Sequence, residues 1–150
     1  MKISIGSDHA GYKVKEEIKK YLQSKGYEVQ DVGTNSLDSC DYPIFGRAAA
    51  ELVASGKVQY GILVCYSGEG IMMTANKVKG VRCGKINNVA EAIHGKERDY
   101  INIVALSGEG VDYEENVKIV DAFLNTRYNT EDQVYIKRLK DIEEYENRSN

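Results

Sequence analysis

At 150 residues the chain has the length of one domain able to bury a core, and 42% hydrophobic with 29% charged residues is ordinary for a globular protein. The net charge of −3 argues against nucleic acid as a main partner, and no apolar run reaches the roughly 20 residues of a membrane helix. Three cysteines without CxxC spacing argue for reduced thiols, and two distant histidines make a zinc site unfavourable. Charged and polar residues come too early for a signal peptide, so the expected location is cytoplasmic. An anionic small ligand stays open, because it needs only local positive charge.

Taken in chain order, short apolar runs alternate with helical patterns. Residues 2–6 read as a strand and lead into "SDHAG". The stretch "YKVKEEIKKYLQSKG" follows, with Val14, Ile18, Tyr21 and Leu22 on one helical face and Gly26 as the stop. A strand over 27–32 precedes "NSLDSCDYP", and a helix then starts at Pro43 and ends at Gly56. Strands over 60–65, 80–84 and 101–106 are separated by helical stretches over 70–77 and 88–97, and another helix covers 113–124. The last segment carries Val134, Ile136, Leu139 and Ile142, with Thr130 and Glu131 as its start. The alternation predicts a five-stranded parallel sheet covered on both faces, one doubly wound α/β domain over residues 1–150 with a helical tail at about 130–147. Ligands of such sheets sit beyond the carboxyl ends of the strands. That rule selects "SDHAG", "NSLDSCDYP", "CYSGEG" and a second "SGEG" at 107–110.

The first of the two "SGEG" loops follows Cys65; the second has no thiol before it. A dinucleotide fingerprint fails here, because Gly68 and Gly70 are followed by Met73 and the loop follows the third strand. The better reading is an anion cradle, in which small residues let backbone N–H groups converge and a following helix adds positive potential. That field would also favour a Cys65 thiolate, with Glu69 facing outward. The plainer reading is that Cys65 is a small core residue. Asp8 or Ser7 reads equally as a helix cap, with His9 beside it free to contact a ligand. Tyr42 in "DYP" reads as a turn and helix start, and Lys137, Arg138 and Lys140 as a solvated face unless a phosphate has to be held.

Together, "GSDHAG", "DVGT…DYPIFG", "GILVCYSGEGI…ANKVKGVR" and "IVDAFL" resemble, in order and spacing, the ribose-5-phosphate isomerase B and galactose-6-phosphate isomerase family. The resemblance spans nearly the whole chain. It implies a Rossmann-like three-layer α/β/α sheet, no metal or organic cofactor, and a homodimer or homotetramer whose sites are shared between subunits. It also implies an aldose–ketose isomerase of a phosphorylated sugar that works through a cis-enediolate. Cys65 then matches the catalytic base and Ser67 the hydroxyl that assists it. The backbone from Tyr66 through Gly68 and Glu69 to Gly70 matches the anion hole. Asp8 falls near the sugar oxygens, His9 at a phosphate or hydroxyl contact, Tyr42 at a substrate-facing position and Arg138 at a phosphate-binding arginine. The second "SGEG" matches a structural turn.

Four departures accompany the resemblance. Tyr66 stands where the family has glycine or serine, and Arg98 and Asp99 stand where the ribose-specific branch has a ring-opening histidine followed by asparagine. The tail lacks a "GGRH" phosphate motif, and "YNTEDQVYIKRLKDIEE" resembles instead the B subunit of galactose-6-phosphate isomerase, as does "YPIFG". Arg98 is expected to bind an oxygen or phosphate, with ring opening left to Asp8, Asp99, His94 or the spontaneous rate. The competing readings are a subunit of galactose-6-phosphate isomerase and a sugar-phosphate-binding protein without catalysis.

Overall fold

Five parallel strands in the order β2-β1-β3-β5-β4 form the sheet in the computed structural model, which describes residues 1–148. They are β1 (Lys2–Ser7), β2 (Glu28–Asp31), β3 (Tyr60–Cys65), β4 (Cys83–Lys85) and β5 (Ile103–Ser107). The helices are α1 (Tyr12–Ser24), α2 (Tyr42–Ala54), α3 (Glu69–Ala75), α4 (Val89–Asp99), α5 (Tyr113–Asn125) and α6 (Gln133–Glu146). The chain enters at β1, steps outward to β2, then reverses to β3 on the other side of β1. The reversal creates a crevice at the carboxyl ends of β1 and β3, where doubly wound sheets bind ligands.

Strand side chains alternate between the two faces, and each face carries its own core. Ile3, Ile5, Ile62, Val64, Val104 and Leu106 face α1, α4 and α5, meeting Ile18, Leu22, Ala92, Ile119 and Phe123. Leu63, Cys65, Ile103 and Ala105 face α2 and α3, meeting Ala49, Ala50, Val53, Ile71 and Ala75. The alanines of α2 leave room for close approach, so the helix lies tight against the strand that ends in Cys65.

One position on α1 departs from its apolar periodicity. Lys15 is fully buried, because its ammonium reaches the Asp31 carboxylate at 2.7 Å and Glu16 at 3.0 Å. Burial opposes the Asp31 charge, but hydrogen bonds from Lys15 and Lys19 outweigh it and hold this carboxyl below its ordinary pKa. The charged group thus ties α1 to the end of β2. Strand β4 begins later than expected, at Cys83. The Arg82 and Cys83 amides are taken by the Asn102 and Asn76 side chains, both at 2.8 Å, after Gly80 turns the chain at φ +87°. The tail helix α6 is capped by Asp132, whose side chain accepts from the Val134 N–H, and not by Thr130 or Glu131. No residue of α6 is buried, so its apolar stripe (Val134, Ile142, Tyr145) stays uncovered in one chain. Among the described residues no helix is long and apolar enough to cross a membrane.

Candidate active site

The site grows from the carboxyl end of β3. Cys65 is the last strand residue, 4% exposed, and its Sγ accepts the Gly68 N–H at 3.2 Å. That return contact needs a reversal within three residues. Gly68 supplies it at φ +85°, a left-handed conformation that costs a side-chain-bearing residue free energy. Ser67 caps the turn, its Oγ accepting the Glu69 N–H at 3.2 Å. Gly70 is required for a different reason: the Tyr42 ring lies directly on its Cα, and a Cβ there would stand 2.8 Å from both ring Cε atoms. Tyr42 therefore forms a wall of the loop, carried in by the start of α2.

The other strand-end segments close around this loop. Asp8 is buried and accepts the Gly11 N–H at 3.1 Å, which makes it the cap of a 3-10 turn over His9–Gly11. One carboxylate oxygen is thus committed to structure. His9 rests its Nδ1 against the Cys40 backbone, 3.2 Å from the amide nitrogen and 3.1 Å from the carbonyl oxygen, leaving Nε2 as its outward atom. Glu69 faces outward and pairs with Lys85 at 3.3 Å. Tyr66 is two-thirds exposed and lines an open polar recess with Ser67, Lys85, Asn87 and Glu109. The second "SGEG" lies beneath: the Gly108 N–H donates to the Cys65 carbonyl at 2.9 Å, and the Ser107 hydroxyl donates to the Tyr66 carbonyl at 2.9 Å. It is a buttress for the first loop, which accounts for its having no thiol of its own.

Three expected residues lie elsewhere. Arg98 and Asp99 end α4, which runs back from the carboxyl end of β4 to the start of β5, the end of the sheet opposite Cys65. Arg98 stacks on Tyr135 of α6 at 5.6 Å, and Arg138 is exposed one turn further along that helix. Asp99 lies 3.8 Å from His94. In one chain, then, Asp8, His9, Tyr42 and Cys65 with the 66–70 loop gather at the carboxyl ends of the strands, whereas Arg98 and Asp99 lie at the end of α4 and Arg138 on the tail helix. The sequence reading missed Ser107 as a partner of the loop. Its signal was register, since Ser107 pairs with Cys65 across β3 and β5. Among the described residues no group of three or more His, Cys, Asp and Glu could hold a metal ion.

A thiol, a hydroxyl and free amides at the switch point of a Rossmann-like sheet are the kinds of group that proton transfer next to a developing oxyanion requires. Comparison with known proteins agrees with that class. The family model described as Ribose/Galactose Isomerase matches residues 3–142. The chain is 43% identical over 146 residues to the galactose-6-phosphate isomerase subunit LacB of Clostridium acetobutylicum, covering 95% of this chain and 83% of that one. It superposes on ribose-5-phosphate isomerase B of Clostridium thermocellum with a TM-score of 0.94 at 41% identity, covering 97% of each chain. It also superposes on the Mycoplasma genitalium ribose-5-phosphate isomerase B bound to ribulose 5-phosphate, with a TM-score of 0.94 at 35% identity, covering 99% of this chain and 97% of that one. The chain belongs to the ribose/galactose isomerase family.

Proposed function

We propose that this sugar-phosphate aldose–ketose isomerase moves a proton between C1 and C2 of an open-chain phosphorylated sugar, with Cys65 as the base. The observation that carries this reading is the Cys65 sulfur facing the Gly68 N–H at the mouth of the crevice, where a donor at sulfur complements a thiolate. Deprotonation α to the carbonyl gives a cis-enediolate, whose negative oxygen is received by the uncommitted backbone N–H groups of the 66–70 loop, the Gly68 and Glu69 N–H groups being held by Cys65 Sγ and Ser67 Oγ. Ser67 exchanges the hydroxyl proton, Asp8 holds a sugar oxygen through its uncommitted carboxylate oxygen, and Tyr42 forms a wall beside the loop. His9 offers Nε2 to a phosphate or hydroxyl. A thiol base works only where thiols stay reduced, so the reading places the enzyme in the cytoplasm.

The phosphate end of the site is completed by a second copy of this chain. One chain keeps Arg138 and Arg98 away from Cys65, leaves the apolar stripe of α6 uncovered, and exposes Ile44 and Met73 along the groove between α2 and α3. A homodimer or homotetramer that buries these surfaces would bring the Arg138 of one chain to the crevice of another, where guanidinium binds phosphate in a bidentate way. Mixing inactive Cys65→Ala with Arg138→Ala subunits tests this at low substrate. Shared sites recover activity that neither parent has, whereas sites complete within one chain recover none. Arg138→Ala should also raise KM for a phosphorylated sugar far more than Arg138→Lys does.

A second reading, one subunit of a galactose-6-phosphate isomerase, is favoured by Arg98 in place of the ring-opening histidine. A screen of phosphorylated pentoses and hexoses with the purified chain separates the two.

A further inference from the structure

We propose that Ser107, itself held by Asn116, is a positioning residue that aims the oxyanion-binding amides of the loop after Cys65. The inference rests on the isomerase reading above. Ser107 is 5% exposed, and its Oγ accepts the Gly110 N–H at 2.7 Å. A serine hydroxyl has one proton, and here that proton goes to the Tyr66 carbonyl at 2.9 Å. The Glu109 N–H reaches the same carbonyl at 3.4 Å, and the Gly108 N–H takes the Cys65 carbonyl at 2.9 Å. Both carbonyls that precede the cradle are therefore drawn toward the second "SGEG" turn.

A trans peptide unit is planar, with its C=O and N–H pointing in opposite directions. Fixing the Tyr66 carbonyl toward Ser107 thus turns the Ser67 N–H away from it, toward the mouth of the crevice, and fixing the Cys65 carbonyl does the same for the Tyr66 N–H. Among the described residues no acceptor takes up the Ser67 N–H, so this donor is free for substrate. The turn is anchored in its own right. Asn116 is fully buried on α5, and its Nδ2 donates to the Ser107 carbonyl at 3.1 Å and the Val111 carbonyl at 3.4 Å. The chain of contacts from Asn116 through Ser107 to Tyr66 fixes the orientation of peptide dipoles before charge develops, which is how preorganised donors lower a barrier.

A clamp of this kind acts on the enediolate more than on bound substrate, because the carbonyl oxygen of the sugar carries little charge before proton abstraction. Removing an oxyanion donor outright costs about 100- to 1,000-fold, and Ser107→Ala, which leaves the donor but frees its direction, should lower kcat by roughly tenfold or more. KM should stay near the wild-type value. The test is the kcat and KM of wild type, Ser107→Ala and Ser107→Thr, with the affinity of each for a phosphorylated aldonohydroxamate that mimics the enediolate and for inorganic phosphate. Ser107→Ala is expected to lose hydroxamate affinity in step with kcat while phosphate affinity holds. Ser107→Thr, which keeps the hydroxyl, should recover most of both. Wild-type kcat in Ser107→Ala, or equal loss of hydroxamate and phosphate affinity, would overturn the clamp and leave the isomerase reading intact. A wild-type protein that isomerises no sugar phosphate would overturn the reading beneath it and the clamp together.

Discussion

Lys96 and Cys83 are buried groups whose folded and unfolded states hold different numbers of protons across the same alkaline window, and they push stability in opposite directions. Lys96 is 1% exposed; its ammonium donates to the Phe123 carbonyl at 2.6 Å and lies 3.9 Å from the Tyr60 ring centroid and 4.4 Å from that of Phe123. Burial lowers its pKa to about 8, and burial raises the Cys83 thiol far above its usual range. Between about pH 8 and the unfolded lysine value of about 10.4, the folded chain holds fewer protons at Lys96 than the unfolded chain, so this group makes stability rise with pH. Above the unfolded cysteine value of about 8.5 the folded chain holds more protons at Cys83, so that group makes stability fall. Each fully shifted group contributes a slope of about 1.4 kcal/mol per pH unit, hence about 2 kcal/mol between pH 8.5 and 10. The aromatic faces favour the ammonium, which makes the Lys96 figure an upper one. These two contributions should therefore nearly cancel in wild type across this window. Urea unfolding at fixed protein concentration reads the slopes directly. Lys96→Met should expose the Cys83 term and lose up to about 2 kcal/mol from pH 8.5 to 10, whereas Cys83→Ala should gain up to a similar amount. Curves for both variants that run parallel to wild type would refute the reasoning.

Two further outcomes concern the site. Gly70→Ala places a Cβ 2.8 Å from the Tyr42 ring atoms, so the ring must leave the loop; activity should fall and stability drop by about 1–3 kcal/mol, the cost of overpacking, as read by kinetics and urea unfolding. Turnover of ribose 5-phosphate by wild type should be slow and limited by the open-chain fraction at high enzyme, because arginine at position 98 cannot exchange a proton near neutral pH. Provided that Arg98 does not also hold the phosphate, Arg98→His should raise that rate, and a wild-type rate proportional to enzyme with no lag would show that another residue opens the ring.

The sheet was legible because β1, β3 and β5 are apolar runs of the right length and α1 and α2 stop at Gly26 and Gly56, a pattern that survives without tertiary information. The position of Cys65 at a strand end and the turn at Gly68 were legible for a similar reason, although the residues alone left Cys65 readable as a small core side chain. Lys15 was not, because its burial depends on Asp31, sixteen residues later in the chain and brought close only by the β1–β2 pairing. The late start of β4 was hidden for the same reason: Asn76 and Asn102 take the amides that a ladder would have used. Asp8 was read both as a cap and as a ligand contact, and the fold commits one of its oxygens to the cap. The separation of Arg98 from Cys65 follows from the direction of α4, and that of Arg138 from the docking of α6 on the end of α4 through Arg98 and Tyr135, neither of which periodicity alone reveals.

The central claim, that Cys65 carries the proton between C1 and C2, is tested most directly by incubating the enzyme with a phosphorylated ketose in D2O and following the C1 and C2 positions by NMR. The account predicts deuterium incorporation and aldose formation by wild type and neither by Cys65→Ala, with phosphate-dependent binding retained in the variant. Exchange by Cys65→Ala at the wild-type rate would contradict it.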